Sequence, residues 1–190
     1  KVYCENTSSQ IEVEMGTSLL DIRDRLDVDN EYPFLAAYVN NRIKELNYKV
    51  YTPISIRFID ATHFEGYRVY QRSVSFIMQA AVWSLYPDHK FHVRHSIGSG
   101  FYCEVEGIGE FTESDCLRIE SKAREIVAAN LRIERCKVPT EEAIAEFERF
   151  GFDDKIALLR SRPRLYSNIY RLGDMVGYFL GALAPSTGYI

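Results

Sequence analysis

Residues 67–85 form one uninterrupted apolar stripe. Tyr70, Val74, Ile77, Met78, Ala81, Val82 and Leu85 recur at three- and four-residue spacing. That spacing puts them on one face of a helix. The helix ends before Pro87-Asp88, since proline cannot continue it.

The residues before it read as a small mixed unit. Val2-Tyr3-Cys4 and Ile11-Glu12-Val13-Glu14-Met15 alternate at period two around Asn6-Thr7-Ser8-Ser9, which predicts a hairpin. Ser18 with Asp21 three residues on is a capping box, and Leu19, Ile22 and Leu26 form the inner stripe of the helix it starts. Strands follow at residues 34–39, 42–46 and 54–59, with a turn at Asn40-Asn41, because asparagine tolerates positive φ. Two strands, a helix and further strands describe a β-grasp unit over residues 1–62. A unit of that size is marginal alone and is expected to lean on its neighbour.

After the long helix come strands at 91–94 and 101–105 around Gly98-Ser99-Gly100. A capping box at Thr112 and Asp115 then opens a helix expected to bury Cys116, Ile119, Ala123, Ile126 and Val127. Next are a strand at 132–138, a helix capped by Pro139-Thr140 with Ile144 and Phe147 inside, a short helix at 153–159, and closing strands at 166–170 and 175–180. The class is α+β, with helices on a mostly antiparallel sheet over residues 66–190.

Composition excludes some functions. The net charge of −4 is far from that of a polycation, which argues against strong nonspecific nucleic-acid binding. No apolar run approaches the roughly 20 residues of a membrane span, so no membrane partner is expected. No secretory leader opens the chain. Cys4, Cys103, Cys116 and Cys136 lack CxxC spacing and read as buried thiols of a cytoplasmic protein.

Motifs of established chemistry are sparse. Gly98-Ser99-Gly100 is a hairpin turn, not a phosphate loop, and no G-x-S-x-G elbow occurs. His92 and His95 are expected on opposite faces of a strand; with His63 and His89 they read as surface or locally satisfied histidines. Arg160-Ser161-Arg162-Pro163-Arg164 is a short basic run, read as a solvated connector that could touch phosphate. The 13 tyrosines and 11 phenylalanines read as core rather than as a base-stacking platform.

Several stretches carry a family resemblance. "AAYVNNRIKELNYKV" with "ISIRFID" resembles a TGS domain, the ubiquitin-like β-grasp module of threonyl-tRNA synthetases and some GTPases. "QRSVSFIMQAAVWSLYP", "GSGFYCEVE", "CKVPTEEAIAEF" and "YRLGDMV" with "PSTG" resemble the editing domain that follows it in threonyl-tRNA synthetase. The same pair occurs in degenerate form ahead of the P-loop kinase domain of bacterial uridine-kinase-like nucleoside kinases, and the resemblance to that version is the stronger.

The family's editing site uses two histidines one helical turn apart, then a cysteine and a histidine four residues apart. The i, i+4 spacing lets two imidazoles converge from one helix face. The resemblance aligns those positions to Arg72, Phe76, Phe179 and Leu183, and an Asp of the closing loop to Gly177. A guanidinium stays protonated, and phenyl and isobutyl groups have no lone pair, so none can ligate a metal. The loop frame persists as Gly173-Asp174, Gly181 and Pro185-Ser186-Thr187-Gly188. Arg72, alone or with Asp174 nearby, is a candidate contact for an anionic ligand.

The resemblance therefore implies a non-catalytic N-terminal binding or regulatory region of a multidomain cytoplasmic protein, with a uridine-kinase-like nucleoside kinase as the parent. No metal or cofactor is expected within these residues; ATP and Mg would belong to a downstream kinase or synthetase domain. That downstream domain, a small anionic ligand and tRNA are the expected partners. The end at Ile190 is expected to fall at a domain boundary. Two alternatives stay open: a threonyl-tRNA-synthetase-related fragment that retains aminoacyl-tRNA deacylation, or one that grips a tRNA acceptor arm.

Overall fold

The computed structural model describes residues 1–98 and 100–190; Ser99, in the expected glycine turn, lies outside the described residues. The chain divides into two compact units, Lys1–Val74 with Leu180–Ile190, and Ser75–Phe179. Both are α+β.

The first unit is built on β1 (Val2–Cys4), β2 (Ser9–Ile11), β4 (Ala36–Val39), β5 (Arg42–Glu45) and β7 (Ile54–Ile59), in the order β2-β1-β7-β4-β5. β1 and β7 are parallel and the remaining pairs antiparallel, the β-grasp arrangement. Asn40 and Asn41 turn between β4 and β5 at φ 46° and 63°, as their sequence predicts. A short ladder of β3 (Thr17–Ser18) with β6 (Lys49–Val50), invisible to periodicity, braces the start of α1 (Leu19–Leu26). Ser18 and Asp21 form the expected reciprocal capping box. β2 is earlier and shorter than the alternation at 11–15 suggests, because Val2 pairs with Ile11 and Cys4 with Ser9.

Alternation along the strands divides this sheet's apolar residues between two faces. Ala37, Val39, Ile56 and Phe58 join Leu19 and Ile22 of α1 in one core cluster. Leu35, Ala36 and Ile59 instead meet Val69, Ala182 and Ala184. Val69 lies in the first half of α2 (Phe64–Leu85), and the two alanines lie in the C-terminal segment. The small sheet thus gains a second covered face from elements distant in sequence.

The second unit takes residues 75–85 of α2, then the hairpin β8 (Lys90–Ile97) and β9 (Gly100–Glu106), α3 (Glu113–Ala128), β10 (Ile133–Pro139), α4 (Thr140–Arg149), α5 (Asp153–Arg160), β11 (Tyr166–Leu172) and β12 (Met175–Gly177). β10, β11 and β12 make an antiparallel sheet in that order. Ile169 and Val176 of this sheet pack with Ala143, Ile144 and Phe147 of α4 and Ile156 and Leu159 of α5. A second cluster joins Ala81 and Val82 of α2 to Ile119 of α3.

Several expectations need correction. Cys116 is exposed, as is Cys103; only Cys4 is fully buried, and Cys136 is half-buried. In α3's first turn it is Asp115 that turns inward, accepting from the Tyr86 hydroxyl at 2.7 Å. Cys103 lies in the distal part of the β8–β9 hairpin, whose residues are exposed on both faces. Thr140 does not cap α4: its hydroxyl donates to Arg164 O at 2.7 Å, and Pro139 precedes the helix without a side-chain cap. β12 stops at Gly177 rather than running to 180. His92 and His95 share a face. A bulge between Val93 and His95 sets His92 opposite Glu104 and His95 opposite Tyr102, two positions apart on β9.

The Thr112–Asp115 capping box makes a measurable prediction. The Thr112 hydroxyl, then the Tyr86 hydroxyl and the Thr112 amide, bond the Asp115 carboxylate and hold its pKa down at about 2, from 3.8. A carboxylate with a depressed folded-state pKa stabilises the fold above its unfolded value, and that contribution is lost as pH falls through the folded value. Thr112→Ala should lower Tm by about 2–4 °C at pH 7. In urea titrations the deficit should shrink between pH 4 and pH 2; a deficit unchanged at pH 2 would disprove the assignment.

Candidate functional site

Arg72 and Phe76 are one turn apart on α2, so they share a helix face, as the i, i+4 spacing requires. Their surroundings are described unit by unit. Arg72, in the first unit, is half-buried, and its Nε donates to the carbonyl of Ala182 at 3.0 Å. The guanidinium lies flat against Gly181, where a built Cβ would stand 2.8 Å from Arg72 Cζ. Gly181 has φ of +142°, outside the range L-residues adopt readily. Next to Arg72, the buried Ser73 accepts from Ala184 N at 2.8 Å while donating to Val69 O at 2.8 Å. Between these two anchored peptides Leu183 is fully buried.

In the second unit Phe76 is fully buried. Its ring lies 5.3 Å from that of Phe179, which in turn meets Tyr170 edge-on at 6.1 Å. Both phenylalanine rings pack against Gly177. A Cβ there would sit 2.7 Å from Phe179 Cε2 and 2.8 Å from Phe76 Cε2. Gln79 donates to Val176 O at 3.4 Å, tying α2 to β12. Asp174 is exposed in the turn between β11 and β12.

Each of the four aligned positions therefore has a packing or backbone-anchoring role within its own unit. Ser73, Gly177 and Gly181 contribute as much as the aligned residues. The sequence held one signal for Ser73, a small hydroxyl beside an apolar stripe. It held none for the ring contacts over Gly177.

The histidines have local partners. His63 Nδ1 accepts from Glu65 N at 3.1 Å, His92 Nε2 lies 2.9 Å from Glu106 Oε2, and His95 packs on Tyr102 at 5.2 Å. Among the described residues, no three His, Cys, Asp or Glu side chains are grouped to hold a metal ion. No helix among them is long and apolar enough to cross a membrane.

No protein-family model matches the chain. Curated relatives do. The chain is 33% identical over 189 residues to the threonine–tRNA ligase of Clostridium kluyveri, a match covering 99% of this chain and 30% of the ligase. It is 31% identical over 179 residues to that of Rubrobacter xylanophilus, covering 94% and 28%. With that of Fusobacterium nucleatum it shares 30% over 158 residues, covering 82% and 26%. The chain thus spans under a third of the length of these relatives, and it is related along nearly its whole length to part of a threonine–tRNA ligase. The nucleoside-kinase parent expected from the sequence gains no support from these relatives.

Two glycine substitutions check the packing. Gly177→Ala should overpack Phe76 and Phe179, costing about 1–3 kcal/mol in urea unfolding. Gly181→Ala should cost a similar amount, about 1–3 kcal/mol, through its backbone angle and its contact with the Arg72 guanidinium. Wild-type stability in either variant would show that these contacts are looser than described.

Proposed function

We propose that this chain is the TGS and editing-like region of a threonyl-tRNA-synthetase-related protein, and that it binds the acceptor arm of tRNA without hydrolysing the aminoacyl ester. One observation carries the reading. Similarity to a threonine–tRNA ligase runs through 99% of the chain, and the positions that the resemblance aligns with the editing residues hold Arg72, Phe76, Phe179 and Leu183. Hydrolysis of an ester needs a base or a metal to activate water. Phenyl and isobutyl groups supply neither. Arg72 remains protonated and donates to a backbone carbonyl. A scaffold kept while its reactive groups are replaced by packing fits a binding role.

RNA contact would rest on local cations, since the net charge is −4. Binding should therefore be moderate and salt-sensitive. In a gel-shift titration with tRNA, a complex should form at low salt and weaken steeply as salt rises. Seryl-tRNA mischarged on a threonine tRNA should be hydrolysed at the buffer rate. Absence of a shift at low salt would remove the RNA-binding half of the reading. Hydrolysis above background would overturn the other half and favour retained deacylation by a metal-free route.

A further inference from the structure

The basic run 160–164 is mostly exposed, as expected of a connector. It also borders a cleft of about 440 Å³ in the second unit, with Thr140, Glu141, Ile144, Leu159, Pro163 and Leu165. That volume falls in the range of small-molecule sites. Its wall is fixed by backbone bonds rather than by the arginines. Thr140 N donates to Leu165 O at 2.9 Å, and the Thr140 hydroxyl bonds Arg164 O and Ser167 Oγ at 2.7 and 2.9 Å. The loop that carries the arginines is thereby pinned to the first turn of α4.

The three guanidiniums differ in how far they are neutralised. Arg160 is paired with Glu148 at 2.9 Å. Arg162 is instead held by a neutral group, donating to the Tyr178 hydroxyl at 2.6 Å with its guanidinium 5.8 Å from the ring centre. Its orientation is set without loss of charge. Arg164 makes no ion pair among the described residues and is exposed. Glu141 is the one carboxylate lining the cleft. With Arg160 neutralised by Glu148, Arg162 and Arg164 against Glu141 leave an excess of one positive charge. The cleft's exposed apolar lining comes from Pro163 and Leu165, since Ile144 and Leu159 are buried.

We propose that this cleft binds a phosphate monoester. The guanidinium fork matches phosphate oxygens in bidentate fashion. A monoester is close to a dianion above its second pKa of about 6, so a cleft of net positive charge attracts it. The apolar wall suits the organic group that the phosphate carries. The proposal does not rest on the tRNA reading, because a free mononucleotide and the 5′-phosphate of an RNA present the same chemistry.

The test is calorimetric titration of the 190-residue chain at pH 7.5 with AMP, adenosine, and an RNA tetranucleotide with and without a 5′-phosphate. AMP should bind and adenosine should not. Arg164→Ala, an exposed position that leaves the fold intact, should weaken AMP about tenfold. Arg162→Ala should do the same, with Arg162→Lys recovering less than full affinity because it loses the fork. Arg124→Ala, on the surface of α3, should change nothing. Tighter binding of 5′-phosphorylated RNA than of AMP identifies an RNA end as the source, and the reverse identifies a free nucleotide. The proposal falls if AMP does not bind at millimolar concentration, if adenosine binds equally, if Arg164→Ala leaves the affinity unchanged, or if both RNAs bind measurably and with equal affinity. Loss of the tRNA gel shift with AMP binding intact would remove the tRNA reading and leave this one standing.

Discussion

Neighbouring side chains of α2, Arg72 and Ser73, hold one short piece of backbone, and the first unit depends on it. Arg72 donates to the carbonyl of Ala182, and Ser73 accepts from the amide of Ala184. A buried amide or carbonyl without a partner costs about 1–3 kcal/mol. Satisfying both allows the peptide around Leu183 to be buried where a surface loop would otherwise lie. Ala182 and Ala184 then close the second face of the β-grasp sheet against Leu35, Ala36 and Ile59. Tyr189 adds a further tie, accepting a hydrogen bond from Arg23 of α1 at 2.9 Å. A sheet whose sequence alone marks it as marginal is stabilised on both faces.

This clamp changes how the apolar closing segment is understood. In a hydrolytic site, the side chains of such a segment point polar groups at a substrate. Here its backbone is anchored and its side chains are packed. The replacement is consistent on both sides of the segment. Arg72 lies on a glycine that leaves it room, and Gly177 leaves room for Phe76 and Phe179. Matched small and large residues of this kind indicate a settled core rather than an eroded site.

Much of the fold was legible because its signals are local. Both capping boxes, at Ser18 with Asp21 and at Thr112 with Asp115, form as the spacing predicts. The Asn40-Asn41 turn and the long α2 are likewise set by neighbours in sequence. The failures were of two kinds. Cys116 follows the helical stripe but belongs to a first turn that projects beyond the cluster around Ile119. His95 was assigned to the wrong face because a bulge adds a residue, and strand periodicity cannot register an insertion. That the basic run at 160–164 lines a cleft was not legible, because its loop is held by bonds from Thr140, 24 residues away from Arg164.

The sequence by itself determined that Arg72, Phe76, Phe179 and Leu183 cannot ligate a metal, because that follows from side-chain chemistry wherever those residues lie. It also determined the α+β class and the β-grasp order of elements, since caps, turns and alternation act over a few residues. Only the tertiary structure decided that residues 180–190 fold with residues 1–74, that Arg72 is a backbone anchor, and that three arginines line a cleft. Those outcomes depend on hydrogen bonds and packing between segments up to 111 positions apart, which no local periodicity encodes.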